Sequence, residues 1–201
     1  MDGFPDVDVT NYEQIRNSIK TGDLLFASGN SLMSTMIKGA TNSVWSHIAF
    51  IVHLVAVDRI MVMESVETVG VRTVPLSNYV RNYNGSGQGY PGRLMLARYQ
   101  DFPTDSLHNL SKQAIDLLGF PYNTEEILRI AARIGMHAFG FDKASPEVIS
   151  QKAFICSEYV YICYKSIGIT IDYDKSGFIA PADFARAPKV KPLGYITTLA
   201  S

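Results

Sequence analysis

Phe154-Ile155-Cys156-Ser157-Glu158-Tyr159-Val160-Tyr161-Ile162-Cys163 is the stretch whose periodicity settles how this chain is read. Cys156, Val160, Cys163 and Ile167 recur at helical spacing and would share one face. The quoted run opens a helix inside a wider segment, from about Pro146 to Ser166, that has the same spacing and is closed by Gly168. Cys156 sits near the beginning, where unpaired backbone N–H groups and the positive end of the helix dipole favour a thiolate. The same N–H groups could receive the oxyanion of a tetrahedral intermediate. Two readings of Cys156 stay open at this point, an activated nucleophile and a buried apolar cysteine; the second fits Cys163 better.

Outward from that helix, the elements fall into two blocks. An acidic leader and a short helix at Asn11 to Ile19 make up residues 1–20, and a Thr21-Gly22-Asp23 turn releases a strand at Leu24 to Ala27. Ser31 to Gly39 reads as a brief helix or loop. Ser46 to His53, Arg59 to Val66, Val71 to Leu76 and Arg93 to Tyr99 carry the β-branched and apolar residues of strands. Helical spacing begins after Thr104, with segments at Asp105 to Leu118 and Glu125 to Phe139 before the cysteine helix. The tail from Pro181, and with it residues 186–201, reads as irregular coil with one short strand at Gly194 to Leu199. Strands first and helices later predict a single α+β domain over residues 1–201, an antiparallel sheet or barrel packed against helices.

Composition narrows the function classes. The 201 residues carry 18 Lys+Arg against 19 Asp+Glu, a net charge of −1, so no basic footprint for nucleic acid exists. The run Ile48 to Val57 is far shorter than the ~20 apolar residues of a membrane span, which predicts that nothing crosses a bilayer. The N-terminal MDGFPDVDVT lacks the basic and apolar regions of a secretory signal, so a cytoplasmic location is expected. Cys156 and Cys163 would lie about 10.5 Å apart along a helix, too far to bridge, and are expected as free thiols. Gly87-Gln-Gly89-Tyr-Pro-Gly92 matches a dinucleotide pattern but precedes a strand rather than a helix, so it reads as a loop. The four histidines, His47, His53, His108 and His137, show no metal-binding spacing, and neither a metal nor an organic cofactor is expected.

A nucleophilic cysteine needs a base. His47, in Trp45-Ser46-His47-Ile48-Ala49-Phe50, opens an apolar strand, where alternation puts it on one face with Ala49, Ile51 and His53. His53 competes from the far end of that strand. A structural histidine is the plainer alternative for both. Glu64, in Val62-Met63-Glu64-Ser65, is an acid within an apolar strand and must have a partner if buried. That partner is either His47, whose tautomer it would fix, or an arginine such as Arg72 or Arg98. Asn78 and Glu67 are weaker candidates for orienting the histidine.

Gly22-Asp23-Leu24-Leu25-Phe26, Ser46-His47-Ile48-Ala49-Phe50-Ile51, Met63-Glu64-Ser65 and Ile155-Cys156-Ser157-Glu158-Tyr159-Val160, in this order, resemble the circularly permuted NlpC-type papain-like cysteine hydrolases. In unpermuted relatives the cysteine helix precedes the Gly-Asp-Leu and Ser-His strands; here it follows them. The resemblance covers roughly residues 20–185 and implies a papain-like fold with Cys156 as nucleophile, His47 as base and Glu64 as third residue. Gly119-Phe120-Pro121-Tyr122 also looks like a stretch recurring in the permuted group, and it makes Tyr122 a candidate for lining the substrate site, with packing as the alternative. Ala49 stands where relatives usually have glycine.

The expected reaction is attack of the Cys156 sulfur on an amide or ester carbonyl, with a thioester intermediate. Expected substrates are small peptides, other amide conjugates or acyl lipids, the last with peripheral lipid contact. A lipid acyltransferase like the lecithin:retinol acyltransferase group, or a catalytically silent binding module of the same fold, are the alternatives. Oligomeric state is not legible in the sequence.

Overall fold

A computed structural model describes residue 4 and residues 7–125, 153–173 and 178–198. The expected helix at Glu125 to Phe139, the beginning of the Pro146 to Ser166 segment and His137 lie almost wholly or wholly outside the described residues. The architecture is α+β. Seven strands form one sheet: β1 (Val9–Asn11), β2 (Leu24–Ser28), β3 (His47–Leu54), β4 (Arg59–Val66), β5 (Gly70–Pro75), β6 (Arg93–Tyr99) and β7 (Val190–Thr197). Their spatial order is β1-β7-β6-β2-β3-β4-β5, antiparallel except for the parallel β1–β7 pair. The sheet is open, with β1 and β5 at its margins, so of the expected sheet or barrel it is the sheet that forms.

Alternation along the strands gives each face its own core. Phe26, Ile48, Phe50 and Met63 point to one face, where they meet Tyr159, Val160, Cys163 and Tyr164 of helix α5 (Cys156–Lys165). Leu25, Ala49, Ile51 and Val62 point to the other, where Leu76, Tyr79 and Val80 of α3 (Leu76–Arg81) cover them. Among the described residues, three further α-helices precede α5: α1 (Tyr12–Ile15), α2 (Leu32–Thr41) and α4 (Leu107–Asp116). Asn11 and Ser31 cap α1 and α2, each side-chain oxygen accepting from a backbone N–H of the first turn. Ala49 is fully buried in the second core, so the methyl standing in place of glycine is used for packing.

Two stretches differ from the sequence reading. Helix α3 follows β5 directly, in a stretch read only as the end of a strand. The segment read as an irregular tail with one short strand at Gly194 to Leu199 holds a helix, α6 (Pro181–Arg186), and a strand, β7, that begins earlier, at Val190, and lies inside the sheet. Proline is what disguised both. Pro181 sits in the first turn of α6, where no N–H is needed, and Asp183 Oδ2 accepts the Ala180 N–H at 2.7 Å. Pro192 pairs with Ala97 where the β6–β7 register slips between Leu96 and Ala97, an irregularity that tolerates a missing donor.

The chain returns from α4 along β5. Gly119 N–H donates to Val71 O at 2.9 Å and Val71 N–H to Phe120 O at 2.8 Å. Gly70 has φ +82°, and a Cβ there would drive into the Phe120 carbonyl. Gly70→Ala is therefore expected to destabilise the protein by about 2 kcal/mol or more, read from urea unfolding. An unchanged midpoint would show that the β5 contact contributes little.

Candidate active site

The site forms where the N-terminus of α5 reaches the start of β3. Cys156 is the first residue of α5, and the Ile155 N–H just before it donates to Glu158 Oε2 at 3.0 Å. Ser157 Oγ donates to Ile179 O at 2.7 Å, and Ser65 Oγ donates to Phe154 O at 2.7 Å. These bonds pin both sides of the cysteine to the rest of the fold. Cys156 itself is buried, with 3% exposure.

His47 begins β3. The preceding residue, Ser46, accepts the Gly29 N–H on its Oγ at 3.0 Å and donates its own N–H to Ala27 O at 3.1 Å, which holds the strand end against β2. The His47 ring lies in one cleft with Cys156, interacts electrostatically with it, and is hydrogen-bonded to Glu64. Its Nε2 is 2.8 Å from Glu64 Oε2, so Nδ1 is the nitrogen left for sulfur.

Glu64 is fully buried and fully engaged. Oε1 accepts from Arg72 Nε at 2.8 Å, and Oε2 accepts from the Tyr79 hydroxyl at 2.5 Å as well as meeting His47. Sequence reasoning offered His47 and arginine as competing partners, but the carboxylate takes His47 and Arg72 together. Arg98 instead pairs with Asp23. Tyr79 went unread because α3 did; the signal that pointed to it was the need of an interior carboxylate for more than one donor. His53, the competing histidine, lies at the other end of β3, with Nδ1 3.3 Å from Ile19 O.

The electrostatics follow from this arrangement. Burial alone would push the His47 ring towards its neutral form, but its bonds and charge interactions with Cys156 and Glu64 outweigh that and raise it from 6.5 to about 10. Burial would likewise raise the Glu64 carboxyl, yet His47, Arg72 and Tyr79 hold it below its ordinary value. Burial, and then proximity to Cys156, Glu67 and Glu158, push the Tyr122 phenol far above its usual range, so it stays protonated. Burial raises the Cys163 thiol well above the ordinary cysteine range, which leaves it chemically quiet.

Two cavities meet at Cys156. The first, of about 290 Å³, is apolar: Met36, Ile37 and Ala40 of α2 face Ile179, Ala180 and Pro181 across it. The second, of about 130 Å³, is lined by His47, Glu67 and the tyrosines Tyr79, Tyr83, Tyr90 and Tyr122. Tyr83 and Tyr90 come from the glycine-rich loop between α3 and β6, which the sequence marked only as a loop. Tyr122 is fixed by the backbone: its residue bridges Phe154, and Phe154 N–H donates to Pro121 O at 3.1 Å.

A raised histidine makes the folded state bind protons more tightly, so this contribution to stability is complete below about pH 6.5 and is lost as pH rises towards 10. By NMR, His47 should titrate well above the ordinary histidine range in the wild type and fall towards it in Glu64→Gln. A wild-type midpoint near 6.5 would contradict the geometry. His47→Gln should also flatten the alkaline fall in unfolding free energy.

Comparison with known proteins fits this architecture. The crystal structure of metalloprotein yiiX from Escherichia coli O157:H7 superposes with a TM-score of 0.62 at 19% sequence identity, covering 88% of this chain and 97% of that one. No curated protein matches. A family model described as the permuted papain-like amidase enzymes, YaeF/YiiX, C92 family, matches residues 18–129. The chain therefore belongs to the YaeF/YiiX family of permuted papain-like amidases and is a thiol hydrolase.

Proposed function

We propose that Cys156, His47 and Glu64 form the catalytic triad of an amidase or esterase whose substrate carries an apolar acyl group. The observation that supports it is the His47 ring bonded to Glu64 and set in one cleft with Cys156, at the junction of that polar cleft and an apolar cavity. His47 holds the proton while the Cys156 sulfur attacks the carbonyl carbon and forms a C–S bond. The oxyanion so created faces the Cys156 backbone N–H, which has no partner within its helix. The protonated Tyr122 hydroxyl, beside the sulfur, supplies a second donor. Collapse of the intermediate breaks the C–N or C–O bond, and His47 gives its proton to the leaving amine or alcohol. Water, deprotonated by His47, then attacks the thioester; the C–S bond breaks, releasing the carboxylic acid and restoring the sulfur. Glu64 keeps the ring oriented throughout, as an ionised carboxylate bonded to Nε2.

The apolar cavity favours acyl lipids or N-acyl conjugates over polar wall peptides. At about 290 Å³ it admits a short or medium aliphatic chain. Transfer to another acceptor would share every step up to the thioester. The yiiX neighbour is described as a metalloprotein, but the donors here are spent on one another. Among the described residues, no group of three or more His, Cys, Asp or Glu side chains could hold a metal ion, and no step is assigned to one.

Labelling with an acylating cysteine probe tests the assignment. Cys156→Ser should abolish labelling, His47→Ala should slow it by at least about a hundredfold, and Cys163→Ser should leave it unchanged. Labelling that survives Cys156→Ser, or disappears only in Cys163→Ser, overturns the triad. Ala40→Trp, which fills the apolar cavity, should lower kcat/KM for a medium-chain p-nitrophenyl ester by about tenfold and spare the acetyl ester. Equal loss on both esters would remove the cavity from the acyl side.

A further inference from the structure

We propose that a third cavity, at the opposite end of the sheet from Cys156, binds a small amphipathic anion: a carboxylate or phosphate monoester with an apolar body. This cleft is the largest of the three, about 650 Å³, within the usual range of small-molecule sites. His47 stands at one end of β3 and His53, which lines this cleft, at the other, a separation of about 20 Å along an extended strand. The cleft is therefore separate from the catalytic site and independent of the chemistry proposed there.

Its walls give the ligand an apolar seat. Ile19, Tyr99, Phe102, Leu107 and Leu193 contribute, and Val55 on its rim is 77% exposed. Val57, in the same turn, is 60% exposed, so an apolar patch continues out of the cleft. Nothing among the described residues covers Val55, and an apolar ligand body would.

Charge selects the head group. Arg98 is held rigidly in the wall: Nε donates to Asp23 Oδ1 at 2.6 Å, and Nη2 donates to Asp23 Oδ2 and to Ser18 O, both at 2.8 Å. Nη1 has no hydrogen bond among the described residues, so a planar donor group is oriented with one nitrogen unspent. Lys20 and Lys191 also line the cleft, and neither forms an ion pair among the described residues. Of the acids that line it, Asp23 is taken by Arg98 and Asp101 faces Lys189 at 3.8 Å. The cleft therefore presents a surplus of cation, and the ligand it suits is negative at one end and greasy at the other.

Isothermal titration of the full chain with decanoate tests this, with decyl phosphate as the second anion and 1-decanol and decylamine as controls. Both anions should bind more tightly than either control, with affinity falling as salt is added. Amide NMR shifts should centre on His53, Gln100 and Leu193, which separates this cleft from the cavity at Met36 to Ala40. Lys20→Ala/Lys191→Ala should weaken decanoate by about tenfold while Cys156 labelling is unchanged. Leu193→Trp, which fills the cleft, should abolish the same shifts. Shifts confined to the Met36 to Ala40 cavity, equal binding of decanol, or full affinity in the double lysine variant would each overturn the proposal. Tighter binding of only one of the two anions would identify the head group as carboxylate or phosphate.

Discussion

A carboxylate with no solvent exposure is the constraint around which this molecule is organised. Glu64 has no exposure, and an interior charge of that kind survives only where every lone pair is matched. The fold supplies the match from three directions: His47 from the neighbouring strand, Arg72 from β5, and Tyr79 from the helix that follows β5. Each donor belongs to a different element, so strand register and helix docking must be right before the charge is satisfied. Meeting that electrostatic requirement also sets the imidazole in a single orientation, with one nitrogen turned towards sulfur.

The cysteine arrives from elsewhere. Helix α5 packs on the sheet face opposite α3, and its first residue reaches the strand end where His47 begins. Ser65 and Ser157 bind backbone carbonyls at positions 154 and 179, so small hydroxyls hold the segment around Cys156 without adding charge. The site is thus a meeting of two layers, each positioned by its own apolar core. This explains how a permuted chain order leaves the geometry intact: neither layer needs the other to be its neighbour in sequence.

The strands of the sheet's centre were readable as short runs of β-branched and apolar residues, because each buries residues on both faces. The helix of Cys156 was readable for a similar reason, its apolar residues returning at helical spacing. What escaped was set by exceptions. Pro192 suppressed the strand reading of the first half of β7, although a register slip accommodates it, and Pro181 hid α6 by occupying the first turn that proline favours. At the site, Cys156, His47 and Glu64 carried chemical types that stand out in apolar surroundings. Tyr79, Tyr83 and Tyr90 did not, since tyrosines packed on one another look like core until the cavity beside them is seen.

The hydrogen bonds that tie Gly119 and Phe120 to Val71 have a second effect beyond delivering Tyr122. β5 ends the sheet, and a flank of unpaired backbone there would invite another molecule to add a strand. The returning chain occupies part of that flank instead. Protection from self-association and placement of an aromatic ring in the cleft of Cys156 thus come from one short piece of polypeptide, so a change that loosens it would expose the protein to aggregation as it reshapes that cleft.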